Sequence, residues 1–377
     1  MTLSSTGGCT GERLNRTLES HPSDRLTRHS REMESIENRV RRSDWFLRRR
    51  DLLASGYTDA QIEASLAAHA IFRVRQGWFS VPDAPEAAVR AVRVGGRLTG
   101  VAALESYGLR VPRRAVVDVA VPANASRLRR PTDRHAPLEP SDGTRIHWLD
   151  TPLTRQSSRW RVSVDDALLM VLRTEERDVA VACASAVMRY LGWGRARLSA
   201  VFARAPARVR LLEPLVSDKD DAHGETFVRL WFGDAGVWCE SQPRVVNGRR
   251  LDFRVGPNTY VEVDGRQHDP DWTGEGESSR PKDVETDIAV AAAGGTVLRF
   301  DYRMLYTAWD QCLAAVQRAV ADDVELAARR RTSPAVPRRV TTLRTSQTAR
   351  ASRTASASRK RRRSRRSTPR KAIPPPF

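Results

Sequence analysis

The sequence predicts an α+β multidomain protein with three folded parts and a disordered basic tail. Three observations lead to this prediction. The chain has 377 residues, which is enough for two or three domains. Helix-like and strand-like apolar spacings alternate along it. Its last part, residues 329–377, contains seventeen Lys or Arg and no Asp or Glu, so most of the net charge of +19 lies there.

Composition restricts the cellular setting. The four cysteines are far apart and form no Cys-x-x-Cys pair, which argues against a disulfide framework or a cysteine-type zinc site and favours a reducing compartment. No apolar run approaches the roughly 18 residues of a membrane span, and the N-terminus has no hydrophobic signal region. We therefore expect a cytoplasmic protein with no membrane partner and no small-molecule cofactor. The positive charge favours a polyanionic partner such as nucleic acid.

The N-terminal segment, residues 1–40, is polar, is rich in Ser, Thr and Arg and has almost no periodic apolar positions. Such a composition cannot bury a core, so we predict a disordered segment. Met33 is an alternative start to Met1. If translation begins at Met33, the first thirty-two residues have no function.

Residues 41–85 are predicted to form a winged helix-turn-helix. A first helix is expected from Trp45 to the helix stop at Gly56, because its apolar residues are spaced for one helical face. The sequence Thr58-Asp59-Ala60-Gln61 is a capping box, which predicts the start of a second helix. Ile71 to Val81 contains two β-rich runs around a Gln-Gly turn, which predicts a basic hairpin.

The helix entry Gly56-Tyr57-Thr58 and the hairpin sequence Phe72 to Phe79 resemble the N-terminal domain of AbiEi-type antitoxins. The resemblance covers about forty residues. It implies that the second helix enters a DNA major groove while Arg73, Arg75 and Gln76 contact phosphate, and that a toxin is a partner. The alternative is a packing or protein-interaction module whose arginines are solvated.

Residues 90–215 are predicted to form a connecting α+β domain. Its expected elements are a helix around Thr99 to Tyr107, a strand over Val116 to Val121, a loop over Arg127 to Pro140, a strand over Arg145 to Leu149 and a helix over Val164 to Leu191. No residues in it have catalytic spacing. Its order of elements is similar to the middle region of the same antitoxin-like proteins, and we expect a core and spacing role.

Residues 222–325 are predicted to form an α/β domain. Its expected elements are an amphipathic helix over Gly224 to Trp231, strands over Val237 to Gln242, Arg250 to Val255 and Tyr260 to Asp264, a helix from Lys282 to Ala293 and a strand over Thr296 to Phe300. Turn sequences separate the first three strands, so they are expected to form an antiparallel meander. The last strand returns to the sheet after the helix.

Acidic residues on two neighbouring strands of this domain indicate a cation site. Asp252 lies mid-strand, where an unpaired buried carboxylate is unfavourable. Glu262 and Asp264 are two residues apart and therefore lie on the same face. Carboxylates at such positions repel one another unless a cation lies between them. Mg²⁺, or Mn²⁺, is the expected ion because hard cations prefer oxygen ligands.

Several features of this domain together resemble one nuclease family. They are Asp252, the run Glu262-Val263-Asp264-Gly265 with His268, Glu225 on an earlier helix, and the strand Val297 to Phe300. This is the very-short-patch-repair-endonuclease-like domain of the PD-(D/E)xK superfamily. The resemblance spans about a hundred residues and implies a restriction-endonuclease-like α/β domain that hydrolyses DNA phosphodiester bonds. It implies that Asp252 is the central metal ligand, that Glu262 is the second, and that Glu225 is a helix-borne ligand or orients a water.

The sequence departs from that family at Asp264, which stands where a lysine usually polarises the attacking water. The resemblance then leaves Asp264 or His268 as the base, and Lys282 as a displaced source of positive charge. Simpler interpretations remain for two of these residues. Glu225 can be an ordinary acid at a helix N-terminus, and His268 can be a surface loop residue.

The tail, residues 329–377, cannot bury a core and is expected to bind phosphate backbones without sequence choice, through residues such as Arg361, Arg362 and Arg363. The alternatives are that the tail binds RNA or a membrane surface, or that it is an extension without a function. For the whole protein, a metal-dependent endonuclease acting on double-stranded DNA has two rivals. One is a non-catalytic antitoxin-like regulator that keeps the C-terminal fold as a binding module. The other is a protein that only binds a toxin.

Overall fold

The computed structural model describes residues 34–112, 114–149, 158–264 and 280–332. Within these ranges the chain is a mixed α and β protein with three small sheets, as the sequence predicts at this level. His268, Arg361, Arg362 and Arg363 lie outside the described residues. Most of the N-terminal segment and of the basic tail that are predicted to be disordered also lie outside them.

The N-terminal region, residues 34–81, contains three helices and a three-stranded sheet. Its elements are α1 (Ile36–Arg42), β1 (Phe46–Arg48), α2 (Arg49–Ala54), α3 (Asp59–Ala67), β2 (Phe72–Arg75) and β3 (Trp78–Ser80). The strands pair antiparallel in the order β1-β3-β2. The predicted capping box of α3 is confirmed, because Gln61 N–H donates to Thr58 Oγ1 at 3.3 Å and Thr58 N–H donates to Gln61 Oε1 at 2.8 Å.

The helix predicted from Trp45 begins later than expected. Asp44 and Trp45 have φ angles of 60° and 70°, Phe46 lies in β1, and α2 begins at Arg49. Phe46 and Leu47 are both buried, but they belong to separate apolar clusters on the two faces of the sheet. The apolar residues whose spacing predicts one helical face therefore include two neighbours in a strand that is covered on both sides.

Helix α1 lies in a stretch that the sequence predicts to be disordered up to residue 40. Ser35 caps the helix by accepting the N–H of Asn38 at 3.2 Å. Ile36 and Val40, one turn apart, are buried in the same cluster as Tyr57. Two apolar residues are too few for periodicity to detect, although their spacing of four is helical.

The middle region, residues 85–216, consists of a small sheet and a group of helices. Its elements are α4 (Glu86–Val94), β4 (Arg97–Leu98), α5 (Gly100–Ser106), β5 (Val117–Pro122), β6 (Thr144–Leu149), α6 (Val164–Thr174), α7 (Arg177–Leu191), α8 (Arg195–Ala203), α9 (Ala207–Arg210) and a short 3₁₀ turn (Glu213–Leu215). The strand order is β4-β5-β6, with β4 antiparallel and β6 parallel to β5. Both strands that the sequence predicts here are confirmed to within one residue at each end.

The helix predicted from Val164 to Leu191 is wrong in one respect, because it is two helices with a break at Glu175 and Glu176. Glu175 is extended, with φ −98° and ψ 160°. Its carboxylate forms ion pairs with Arg114, at 2.8 Å, and with Arg145 of β6. No glycine or proline marks the break, so the apolar spacing continues through it.

The C-terminal region, residues 222–332, contains a four-stranded sheet with helices on its two faces. Its elements are α10 (His223–Asp234), β7 (Glu240–Ser241), β8 (Phe253–Arg254), β9 (Thr259–Asp264), α11 (Arg280–Ala292), β10 (Thr296–Asp301), α12 (Tyr302–Thr307) and α13 (Trp309–Thr332). The order is β10-β9-β8-β7, in which β7, β8 and β9 are antiparallel and β10 is parallel to β9. The predicted meander and returning strand are therefore confirmed, although β7 and β8 are shorter than the sequence predicts.

The two faces of this sheet differ in chemistry. One face packs an apolar cluster in which Phe253, Val261 and Phe300 meet Phe232 of α10 and Val316 of α13. The other face carries a smaller cluster, in which Tyr260 of β9 and Val297 of β10 pack against Val290 of α11. Because side chains alternate along a strand, the acids of β9 lie on this second face.

Candidate active site

The predicted acids lie in a row across the C-terminal sheet. Phe253 pairs with Val261 in the antiparallel register of β8 and β9, so their neighbours Asp252 and Glu262 lie opposite each other. Glu262 pairs in turn with Arg299 in the parallel register of β9 and β10. Asp252, Glu262 and Arg299 therefore occupy one line on one face of three adjacent segments. We call these three residues the polar row.

Backbone hydrogen bonds hold the two carboxylates of the polar row. Val263 N–H donates to Asp252 Oδ2 at 2.7 Å, and Asp252 N–H donates to Glu262 Oε2 at 3.2 Å. Asp252 is thus bonded to β9 through both its backbone and its side chain. Asp252 Oδ1 and Glu262 Oε1 accept no hydrogen bond from the residues that the structure describes, so each carboxylate keeps one oxygen for another ligand.

Glu225, in the first turn of α10, joins the polar row from the side of β7. It is 8% exposed, and its Oε2 accepts the Asp221 N–H at 2.9 Å and Gln242 Nε2 at 3.0 Å. The N–H of Gln242 donates to the carbonyl of Asp252 at 2.8 Å. Gln242 therefore links the helix-borne carboxyl of Glu225 to the segment that carries Asp252.

A buried ion pair fixes the loop that precedes α10. Asp220 is 3% exposed and accepts hydrogen bonds from Arg229 Nη2 at 2.7 Å, from Arg229 Nε at 3.0 Å and from Thr226 Oγ1 at 2.9 Å. The next residue, Asp221, donates the N–H that holds Glu225. The position of the Glu225 carboxyl thus depends on the Asp220 and Arg229 pair, which the sequence did not lead us to expect.

The three carboxyls share an unusual electrostatic environment. Burial raises the pKa of Glu225 to about 7, with a further rise from the charges of Asp221 and Asp220. Burial and the charge of Glu225 raise the pKa of Asp252 to about 7. Burial and the charge of Asp252 raise the pKa of Glu262 to about 7. Asp252 interacts with both of the others, so the three carboxyls behave as one connected acidic group, with Asp252 at its centre.

Arg299 supplies positive charge at the other end of the polar row. Its Nε and Nη2 donate to the two carboxylate oxygens of Asp287 in α11 at 3.1 and 2.9 Å, and its Nη1 lies 4.0 Å from Glu262 Oε1. The bidentate pair fixes the guanidinium plane beside Glu262. Sequence reasoning missed Arg299 as a site residue, although an arginine between Leu298 and Phe300 in a half-buried strand is a signal that could have identified it.

The remaining residues predicted for this site are placed differently. Asp264 is exposed at the end of β9, where it pairs in register with Asp301. Lys282 is exposed near the start of α11, and its carbonyl accepts hydrogen bonds from Thr286 Oγ1 and from Arg249. The structure therefore connects Asp252, Glu262 and Glu225 through hydrogen bonds of neighbouring segments, whereas Asp264 and Lys282 are exposed at the edge of this group.

The residues predicted to touch nucleic acid in the N-terminal region lie on the β2–β3 hairpin. Arg73 forms an ion pair with Glu63 of α3, and its Cζ lies 5.7 Å from the centre of the Phe79 ring. Arg75 is half-buried, and its guanidinium lies where a Cβ atom on Gly95 would be. Gln76 is exposed at the tip of the hairpin.

The donor set of the acidic group suits a hard divalent cation. Three carboxyls, each with one oxygen held by an N–H group and one that accepts no hydrogen bond from the described residues, offer the oxygen ligands that Mg²⁺ and Mn²⁺ prefer. Across residues 34–112, 114–149, 158–264 and 280–332, no three His, Cys, Asp or Glu side chains are close enough to enclose a metal ion. Mg²⁺ needs no such cage, because one or two carboxylates with waters and a substrate phosphate hold it in most phosphoryl-transfer sites.

One solved structure shows a distant structural similarity to part of this chain. The catalytic domain of the homing endonuclease I-Bth0305I is 19% identical in sequence, over 27% of this chain and 96% of that one, with a TM-score of 0.23. No protein-family profile matches the sequence, and no curated protein matches it. Among the helices that the structure describes, none is long and apolar enough to cross a membrane.

Proposed function

We propose that the C-terminal region is a Mg²⁺- or Mn²⁺-dependent endodeoxyribonuclease that hydrolyses phosphodiester bonds in double-stranded DNA. The observation that supports this proposal is the group formed by one buried carboxyl, Glu225, and two half-buried ones, Asp252 and Glu262, whose pKa values are each about 7. Buried acids that raise one another's pKa are unfavourable for folding alone, so the group is suited to a ligand that carries positive charge.

Each carboxyl has a role in the proposed reaction. Asp252 and Glu262 would hold the ion through the oxygens that accept no hydrogen bond from the described residues, and Glu225 would orient a water. A bound Mg²⁺ would supply stabilisation of the charge that develops on the phosphate. Water attacks the phosphorus atom, and one phosphorus–oxygen bond of the backbone breaks. Arg299 favours the ionised form of Glu262, because its charge lowers the pKa that burial raises.

A base must take the proton of the attacking water. Glu225, with a pKa of about 7, is suited to proton transfer near neutral pH. Asp264 and His268 are the other candidates that we propose, and Lys282 is a candidate for contact with the phosphate backbone. Exchange of each for a neutral residue would identify the base as the one whose loss removes the pH dependence of the hydrolysis rate.

Plasmid nicking tests the proposal. The full chain is incubated with supercoiled plasmid and Mg²⁺ or Mn²⁺, beside Asp252→Ala and a matched control, Asp322→Asn, which removes an exposed acid. We expect nicking by the wild-type protein and the control and none by Asp252→Ala. The proposal fails if neither metal supports cleavage of single-stranded, duplex or mismatched DNA, or if Asp252→Ala cleaves at the wild-type rate.

A second function, transcriptional regulation by a non-catalytic winged helix, is favoured by one observation. The N-terminal region has the order helix, strand, helix, helix, strand, strand, and the sheet order β1-β3-β2. This arrangement suits a winged helix-turn-helix, in which α3 would enter the major groove and the hairpin residues Arg73, Arg75 and Gln76 would touch phosphate. In this proposal the C-terminal fold is a binding module, and a toxin is a partner.

Footprinting on the protein's own promoter distinguishes the two functions. A regulator would protect a site that survives Asp252→Ala and is lost when Arg73→Ala and Arg75→Ala are combined. The absence of any protected site would count against it. For either function, we propose that the basic tail, through residues such as Arg361, Arg362 and Arg363, adds binding to DNA without sequence choice.

A further inference from the structure

Two arginines flank a tryptophan on one face of the N-terminal sheet. Arg48 of β1 and Arg75 of β2 are both paired in register with Trp78 of the central strand β3. Residues directly opposite one another in antiparallel strands lie on the same face. The guanidinium carbon of Arg48 lies 4.6 Å from the centre of the Trp78 ring, so this arginine is held over the indole.

A third arginine extends this group towards the middle region. The guanidinium of Arg75 contacts Gly95, the residue that ends α4, and Arg97 begins β4 two residues later. Gly95 has φ 121°, a conformation that favours glycine, and the missing side chain leaves room for the Arg75 guanidinium. We call Arg48, Arg75 and Arg97 the arginine cluster.

The arginine cluster has no acidic partner of its own in the part of the chain that the structure describes. None of its three members forms an ion pair or a side-chain hydrogen bond among the described residues. Asp51, the acid that attracts Arg48, accepts a hydrogen bond at 2.6 Å from Arg159. All three are half-buried, and burial followed by neighbouring guanidinium charge lowers the pKa of each. Arginine stays protonated in proteins, so these like charges remain close to one another.

We propose that the arginine cluster is an anion site that takes phosphate groups of a nucleic-acid backbone. Guanidinium groups that repel one another and keep solvent-accessible nitrogen atoms are stabilised by an acceptor that bonds them in pairs, as phosphate oxygens do. Arg48 and Arg75 lie on the two outer strands with Trp78 between them, so a linear polyanion could contact both. This site does not rest on the proposed nuclease function.

The arginine cluster shares Arg75 with the hairpin residues of the proposed winged helix, but Arg48 and Arg97 lie outside that hairpin. Arg73 is paired with Phe79, whose ring faces the helices of the N-terminal region, whereas Arg75 is paired with Trp78 on the opposite face. Replacement of Arg73 therefore tests the winged helix, and replacement of Arg48 and Arg97 tests the arginine cluster. The two proposals can fail separately.

Salt-dependent binding of a duplex oligonucleotide tests the arginine cluster. Fluorescence anisotropy of the full chain with a labelled 20-base-pair duplex is followed from about 50 to 300 mM KCl, where each lost phosphate contact lowers the salt slope by about one. We expect the combined Arg48→Gln and Arg97→Gln variant to lose about one to two units of slope, about one for each phosphate contact removed. The matched control combines Arg208→Gln with Arg318→Gln, two exposed arginines, and should keep the wild-type slope.

Further variants and a competition experiment give this test a clear outcome. The pair Arg48→Lys and Arg97→Lys retains the charge and should keep most of the slope. If the glutamine pair does not fold, Arg48→Gln alone carries the test, with about half of the loss. A wild-type slope in the folded glutamine variant overturns the proposal. Inorganic phosphate at constant ionic strength should not displace the duplex. If it does, and if it raises the wild-type Tm but not that of the variant, the site takes free phosphate instead and the nucleic-acid assignment is wrong.

Discussion

Asp252 is bonded to the neighbouring strand through both its N–H group and its carboxylate, so its position does not depend on a metal. The two bonds explain why an acid is tolerated at a place that is apolar in most strands. They also make the residue suited to an isosteric test. Asparagine keeps the shape and one oxygen, and it removes the charge that a cation would need.

We predict that Asp252→Asn lowers the nicking rate by at least about 100-fold, more than the loss of an outer-shell partner does. The variant should remain folded, because Val263 N–H can still donate to the side-chain oxygen of residue 252. Circular dichroism and nicking in Mg²⁺ measure the two effects. Asp322→Asn is the control for the loss of one negative charge. Equal rates for Asp252→Asn and the control would contradict the prediction.

Arg299 affects the site through Glu262, which it does not bond directly, so it is a positioning residue. Its guanidinium lowers the pKa of Glu262 against the effects of burial and of Asp252. We predict that Arg299→Gln raises this pKa and moves the acidic limb of the nicking rate to higher pH, with about a tenfold loss below pH 7. Arg299→Lys should restore the profile in part. A merely structural role would lower the rate equally at every pH.

At the scale of elements, the contact between the first turn of α10, which carries Glu225, and the sheet face that carries Asp252 and Glu262 is expected to lose stability as pH rises. Their pKa values of about 7 in the folded chain exceed the ordinary values of 3.8 and 4.5, so the folded state holds protons that the unfolded state has released. The stabilising contribution is present below about pH 4, the ordinary range of such acids, and is lost as pH approaches 7.

Thermal unfolding between pH 5 and pH 8 measures this effect. We predict that the Tm of Asp252→Asn relative to that of the wild-type protein rises across this range, because the variant cannot acquire the buried charge. Mg²⁺ should raise the wild-type Tm at pH 8 and have little effect at pH 5, since a ligand that binds ionised carboxyls competes with protons. A Tm difference that is independent of pH would argue against the shifted carboxyls.

The elements that the sequence predicts correctly are those with local signals. The capping box of Thr58 and Gln61 begins α3, and the alternating acids of β9 share a face. The breaks and short strands lack such signals. Glu175 ends α6 while its carboxylate pairs with arginines of distant segments, and β8 is only two residues long because Asp252 bonds through its side chain instead of continuing the ladder.

For the site, too, the residues with local signals could be predicted from the sequence and the others could not. Asp252 and Glu262 could be recognised in the sequence because carboxylates in strands are rare. Glu225, on a helix, could be recognised only through the resemblance to a nuclease family. Arg299, Gln242 and the Asp220 pair act through contacts between segments far apart in the chain, which no spacing reports. Asp264 was expected beside Glu262 because both lie on one face, but the strand ends there and leaves Asp264 exposed.

At the scale of the whole molecule, one apolar core connects the three regions. It contains Phe46 and Val74 of the N-terminal sheet, the buried faces of α6 and α7, and Phe227 and Leu230 of α10. The helix that carries Glu225 therefore packs on the same core as the sheet that carries Arg48 and Arg75.

Charge is distributed unevenly over the same molecule. Residues 333–377 contain fourteen Lys or Arg and no acid, so a chain that ends at Thr332 carries +5 in place of +19. We predict that this shorter chain binds duplex DNA at least about 100-fold more weakly at 50 mM salt, because most counterion release is lost. Anisotropy titrations of both chains, each with and without Arg48→Gln and Arg97→Gln, separate the two contributions. In the shorter chain the arginine cluster should account for a larger fraction of the remaining salt slope. If the arginine cluster accounts for the same fraction of the salt slope in both chains, the tail and the cluster do not bind the DNA independently.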